Sequence, residues 1–218
     1  MVLYIILILL CTYIIYVTFK AYKGMEFNMF WFYFFKPILG LIFRIYYPFK
    51  VYNKKVIPKD GPIILAGNHI HIMDQCLPIL CTKRGVHYMA KIEYFRDKKV
   101  SWFFKMMGCI PVNREIHDEN AKEKALEVLE RGLALGIFPE GTRNKTDKIL
   151  LDFKKGAVKM ADQKNATIVP YAITGKYKFR TKNLKITFGT PFKVEEHNID
   201  EANEKLYNEV LNLIKKNK

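Results

Sequence analysis

The chain has 218 residues, half of them apolar, with 36 lysines and arginines against 21 aspartates and glutamates, a formal charge of +15. That length accommodates one membrane segment and one globular domain but hardly two domains. A nucleic-acid binder would suit the charge, yet no recognised nucleic-acid motif is present, and an anionic lipid surface accounts for the basic balance more economically.

Residues 2–19 carry no charge. As a helix they would span roughly 27 Å, close to the hydrocarbon thickness of a bilayer. A signal peptide fits less well, since no Lys or Arg precedes the run and no small-residue cleavage site follows it. The expectation is a retained membrane anchor over residues 1–20. The aromatic stretch 27–35 is then interrupted by Lys36-Pro37. Aromatic rings favour the headgroup zone and proline disfavours helix in the residue before it, so 21–49 reads as an interfacial helical segment or hairpin. An ordinary core-packing segment is the competing reading. Lys20, Lys23, Arg44, Lys50, Lys54 and Lys55 follow the anchor, which by the positive-inside rule places the remainder on the cytoplasmic side of a membrane.

From about residue 50 strands and helices alternate. Strands are expected at 62–68, 86–91, 110–113, 133–138, 167–173 and 185–188, and helices at 75–82, 94–107, 120–131, 153–163 and 200–216. Gly132 suits the stop of the third helix and Asp200 the cap of the last. The expected fold class is α/β, a mixed and largely parallel sheet flanked by helices, forming one catalytic domain over 50–218. The four cysteines (Cys11, Cys76, Cys81, Cys109) lack metal-ligand spacing, and in a reducing compartment they read as small buried hydrophobes.

His69 ends a buried-looking strand, and Asp74 precedes the next helix. Within one helix, five residues leave side chains about 140° out of phase. A turn between strand end and helix entry instead lets the carboxylate fold back onto the imidazole, fix its tautomer and stabilise it as a general base acting on a hydroxyl. His71 gives the segment a passing likeness to a His-x-His-x-Asp-His metal motif, but Met73 and Asp74 stand where that motif needs Asp and His, so no metal is expected. The segment Phe138-Pro-Glu-Gly-Thr-Arg143 leaves a second apolar strand. Gly141 allows close backbone approach, Thr142 offers a hydroxyl and Arg143 a planar fork for phosphate, while Glu140 is expected to orient an arginine or accept from a hydroxyl. Arg114, at the end of another strand, would complete a two-arginine clamp.

Four ordered blocks, Asn68-His69 through Asp74, Gly108 through Arg114, Phe138 through Arg143 and Ile168-Val-Pro-Tyr171, resemble the glycerolipid acyltransferase family, in particular its bacterial-type 1-acyl-sn-glycerol-3-phosphate (lysophosphatidic acid) acyltransferases. The likeness spans roughly residues 50–192 and includes Phe153-Lys-Lys-Gly-Ala157 between the third and fourth blocks. The resemblance implies His69 as base and Asp74 as its partner, with Arg114, Glu140, Gly141, Thr142 and Arg143 binding the acceptor. It implies lysophosphatidic acid as acceptor, acyl-CoA or acyl-carrier protein as donor, membrane lipids as surroundings, and no metal or redox cofactor. Lys91 sits where such enzymes often have a lysine and could hold the oxyanion, or be a solvated surface lysine. Cys109 suggests an acyl-enzyme, but a His/Asp pair without a positioned nucleophile favours direct attack by the acceptor hydroxyl.

Between Asp162 and Glu195 there is no acidic residue, and Lys176, Lys178, Arg180 and Lys182 alternate with Tyr177, Phe179 and Thr181. If extended, this ribbon puts every cation on one face and both rings on the other. It then reads either as a lysine-protected edge strand or as a surface for anionic headgroups or an acidic carrier protein.

Overall fold

The computed structural model describes residues 4–6, 8–13, 27–113, 115, 116 and 118–217. Most of the expected anchor, together with Arg114, lies outside them. Among the described residues no helix is long and apolar enough to cross a membrane.

Among the described residues seven strands form one sheet: β1 Phe49–Tyr52, β2 Ile63–Gly67, β3 Val86–Lys91, β4 Ile110–Val112, β5 Ala134–Ile137, β6 Thr167–Thr174 and β7 Leu184–Phe188. Their order is β1-β7-β6-β2-β5-β3-β4. Every neighbouring pair is parallel except β6 and β7. From residue 27 on, the α-helices among the described residues are α1 Phe27–Tyr46, α2 Cys76–Cys81, α3 Glu93–Arg96, α4 Ser101–Met106, α5 Glu119–Glu130, α6 Gly156–Gln163 and α7 Ile199–Asn217, and residues 4–6 and 8–13 are helical as well.

The six expected strands are present, and the fold class is the expected mixed, largely parallel α/β arrangement. The central strands are buried on both faces, which is why they read as continuous apolar runs. Ile64, Ala66, Leu135, Ile168 and Ala172 face α5, α6 and α7, whereas Ile63, Leu65, Val169, Tyr171 and Ile173 face α2 and the end of α1. This is the two-residue alternation of a pleated strand.

Four expectations change. β1 was not foreseen; it is four residues long with alternating half-buried and exposed positions at the sheet's edge. The helix expected over 94–107 is two short ones, because Asp97 takes an extended conformation and its carboxylate accepts the Lys99 N–H. Asn198, not Asp200, caps α7: its Oδ1 accepts the Glu201 N–H at 3.2 Å, while Asp200 pairs with Lys155. And α1 runs unbroken through Pro37. A proline forfeits one helical hydrogen bond, and tertiary contacts offset that here. Phe43 is buried in the sheet's core cluster, and Lys36 reaches over to donate to the Thr82 carbonyl at 2.5 Å. The segment is therefore partly core-packing, with Ile38, Leu41, Ile42 and Ile45 left exposed.

Candidate active site

β2 and β5 are parallel neighbours, with Ala66 opposite Ile137. Carrying that register three residues past the strand ends sets His69 opposite Glu140, so the two motifs leave the sheet side by side. Asn68 holds the first loop in place. Its buried amide accepts the Ile173 N–H at 2.7 Å and donates to the Ile173 carbonyl at 2.9 Å, continuing the ladder to β6 by one side chain. Two glycines make room beneath. A Cβ at Gly67 would lie 2.4 Å from the Tyr171 ring, and one at Gly136 would lie 2.3 Å from the Tyr88 ring.

Beyond Asn68 the chain turns so that Asp74, wholly buried, faces back onto His69. Oδ2 lies 2.9 Å from His69 Nδ1 and accepts the N–H groups of Ile70 at 2.6 Å and His71 at 2.7 Å. Oδ1 accepts the Tyr177 hydroxyl at 2.8 Å. A carboxylate so surrounded by donors holds the proton of His69 on Nδ1 and leaves the Nε2 lone pair free to take another. The imidazole is further set by stacking on Phe138, ring centroids 4.0 Å apart and 9° from parallel, and keeps 12% of its side chain open.

The second loop clamps the backbone of the first. Glu140, 4% exposed, accepts the His69 N–H at 2.6 Å and the Leu151 N–H at 2.9 Å. The His69 carbonyl in turn accepts the Asn144 N–H at 2.7 Å. Burial pushes the Glu140 carboxyl above its ordinary range, and the two backbone donors pull against that rise. Glu140 is thus a brace between the loops instead of the arginine partner or hydroxyl acceptor expected from the sequence. Gly141 takes a φ of +70°, the turn that brings Glu140 inward.

Two cavities meet at the imidazole, sharing His69, Met89 and Phe138 as walls. The larger, about 480 Å³, is walled by apolar residues such as Val112, Ile137, Ala157 and Met160, with Lys122, Lys154 and Lys159 and the backbone of Gly141 also lining it. The smaller, about 190 Å³, gathers Lys91, Thr142, Arg143, Lys145 and Gln75. Lys91 pairs there with Glu93 at 3.5 Å and stays half exposed. The structure thus brings together His69, Asp74, Lys91, Thr142 and Arg143, and places Glu140 behind them. Arg114 belongs to the residues not described. His71 is structural: it stacks on Tyr177 and its Nδ1 accepts the Met73 N–H. No cluster of three potential metal-ligating side chains occurs among the described residues.

Sequence reasoning missed Tyr177 and Asn68. Tyr177 lies in the basic ribbon, which is not a strand. From Gly175 to Asn183 the chain forms a loop, with the Lys178 N–H donating to the Lys176 carbonyl and Arg180 at a φ of +55°. The ribbon's lysines are exposed while Tyr177 turns inward.

A histidine oriented by a buried carboxylate, set where two cavities meet at the ends of parallel strands, is the equipment of a group-transfer enzyme. Residues 48–174 match the family model described as Acyltransferase. The chain is 34% identical over 147 residues to the 1-acyl-sn-glycerol-3-phosphate acyltransferase of Bacillus subtilis strain 168, covering 65% of this chain and 72% of that one. It is 36% identical over 143 residues to the enzyme of the same name from Borreliella burgdorferi, covering 65% and 57%. Its fold matches the crystal structure of the 1-acyl-sn-glycerophosphate acyltransferase PlsC from Thermotoga maritima, with a TM-score of 0.72 and 22% identity over 95% of this chain and 88% of that one. The chain belongs to the acyltransferase family.

Proposed function

We propose that the protein is a membrane-bound acyltransferase that moves a fatty acyl group from a thioester to the sn-2 hydroxyl of 1-acyl-glycerol 3-phosphate, making phosphatidic acid. The observation that carries this reading is the position of His69 where two cavities meet, a larger one with apolar walls and lysines among its lining and a smaller one that holds Lys91, Arg143 and Lys145, which fits an acceptor that is a phosphate at one end and hydrocarbon at the other. The names of the relatives support the same acceptor.

His69 Nε2 takes the proton of the acceptor hydroxyl as its oxygen attacks the thioester carbonyl, and Asp74 offsets the imidazolium charge that develops. The tetrahedral intermediate then collapses. The C–S bond breaks and the thiol of coenzyme A or carrier protein leaves with the proton from His69. Arg143, Lys91 and Lys145 hold the acceptor phosphate, with Arg114 joining them as the family resemblance implies. Lys91 thereby acts on the phosphate more than on the oxyanion, because it shares its cavity with Thr142 and Arg143. Acyl chains occupy the larger cavity. The proposed chemistry draws on no metal or redox cofactor, since the thioester is itself a substrate. Residues 1–20 and the exposed apolar face of α1 keep the domain at the cytoplasmic surface of the bilayer, where both acceptor and product reside.

The test is product formation by the purified full-length protein in vesicles supplied with lysophosphatidic acid and either a coenzyme A or a carrier-protein thioester. Phosphatidic acid from wild type and none from His69→Ala supports the reading. Product from both alike overturns the role of His69. Turnover with glycerol 3-phosphate or another lysophospholipid in place of lysophosphatidic acid overturns the acceptor.

A further inference from the structure

We propose that Tyr177 is a positioning residue for the His69–Asp74 pair, and that through it the seating of α1 on the domain is felt at the catalytic carboxylate. The kinetic part of the test rests on the acyltransfer reading above; the spectroscopic part does not.

Three donors already converge on Asp74 Oδ2, whereas Oδ1 has the Tyr177 hydroxyl as its donor among the described residues. Without it, a wholly buried carboxylate oxygen would lack a partner, and the group would be free to turn about its last bond and trade oxygens. Burial and the adjacent Asp74 push the Tyr177 hydroxyl far above its ordinary range, so it is a donor at every working pH.

The ring that carries this hydroxyl is wedged between the site and α1. It stacks on His71, centroids 4.2 Å apart at 17°, and meets Tyr47 at 5.6 Å and Phe43 at 6.4 Å, both edge to face. The same loop is tied to the last turn of α1. The Arg180 N–H donates to the Tyr46 carbonyl at 2.8 Å, and Phe179 lies against the Tyr46 ring at 5.3 Å. A shift of that turn therefore shifts Tyr177. Phe43 on the inner face of α1 packs into the domain's core, while its outer face is the exposed apolar row Ile38, Leu41, Ile42 and Ile45, so a load on that outer face reaches Tyr177 through the helix. The fold joins the last turn of α1 to the orientation of the catalytic pair by one tyrosine.

Titratable groups facing the pair from the surrounding elements are His71 and Cys76 beside it, Tyr88 on β3, Tyr171 on β6 and Glu140 after β5. Tyr177→Phe leaves all of them in place and keeps the ring packing, removing the hydroxyl alone.

The experiment compares wild type, Tyr177→Phe and Tyr47→Leu as full-length protein in vesicles. In histidine-labelled protein without substrate, the NMR resonance of the His69 Nδ1 proton moves in Tyr177→Phe and, by less, in Tyr47→Leu. In turnover, kcat of Tyr177→Phe falls about ten- to a hundredfold with KM held within about twofold. The acidic limb of its kcat/KM profile moves to higher pH, as an Asp74 with one donor fewer attracts the imidazolium proton more strongly. An unmoved resonance in Tyr177→Phe overturns the positioning role, and an unmoved one in Tyr47→Leu overturns the link to α1. A kcat loss with no change in pH profile marks Tyr177 as merely structural and overturns the proposal. Wild type that turns over no lysophosphatidic acid sinks the acceptor assignment while the resonance still decides this one.

Discussion

Replacing Asp74 by Asn separates its charge from its hydrogen bonds. An asparagine can set its carbonyl oxygen where Oδ2 now lies, accepting from Ile70, His71 and the Nδ1 proton, while its NH₂ donates to the Tyr177 oxygen, which can accept as well as donate. Geometry and tautomer persist, and what is lost is the negative charge beside the imidazolium formed in the transition state. The contact distance is 2.9 Å and Asp74 is 0% exposed. Taking the charge centres as about 4 Å apart and an effective dielectric of about 20 gives about 4 kcal/mol. At ~1.4 kcal/mol per decade this is about a thousandfold in kcat. The assay is steady-state turnover of lysophosphatidic acid and acyl thioester in vesicles, with a thermal melt beside it to show that the fold holds. A variant within tenfold of wild type would refute the reasoning, for it would mean that His69 needs no counter-charge.

Gly136→Ala drives a methyl into the Tyr88 ring at 2.3 Å, in a layer where Tyr88 also stacks near Phe138, and should cost at least the ~1–3 kcal/mol typical of overpacking, read as a lower urea midpoint. Adding Tyr88→Leu should recover part of it, and no loss in the single variant would contradict the packing described. Burial pushes Cys76, Cys81 and Cys109 up to about 12. At pH 8 about one such thiol in ten thousand is ionised, so iodoacetamide should leave turnover intact over an hour; fast inactivation would revive an acyl-cysteine route. Glu140, raised by burial, holds its proton more tightly folded than unfolded. Its contribution to stability is full below the ordinary carboxylate range and declines as pH rises through the raised folded value. The stability of wild type relative to Glu140→Gln, from urea unfolding across a mildly acidic pH series, should fall with rising pH; a gap that widens would reverse the assigned shift.

The site was legible in the sequence where chemistry is local. A histidine at a strand end and an aspartate at the next helix entry lie five residues apart, and a turn suffices to join them. The roles that depended on distant partners were not. Glu140 looked like a ligand because a carboxylate in a Gly-Thr-Arg loop usually faces outward; its inward turn depends on an N–H group contributed by another strand's end. Tyr177 was hidden by a false period. Lysines alternating with rings imitate a strand, but Gly175, at a φ of +91° and with its Cβ position 2.1 Å from the Asn183 carbonyl oxygen, closes the two ends of the segment on each other and rules out extension between them. The sheet's strands announced themselves because burial on both faces demands unbroken apolar runs, whereas β1, one face wet at an edge, is too short to stand out. Pro37 misled for a related reason: its local cost is visible in the chain, and the packing that offsets it is not.

The register between β2 and β5 has a consequence for how such a chain can vary. His69 and Glu140 are distant along the chain but share a rung of the sheet, so everything between α2 and α5 is, mechanically, a detour. Residues can be added to or removed from the chain between β4 and α5 without altering the separation of the two loops, since the ladder between Ile63–Ala66 and Ala134–Ile137 measures that distance and the intervening chain does not. New specificity could be built in that detour, which also lines both cavities, while the proton-transfer geometry stays as it is.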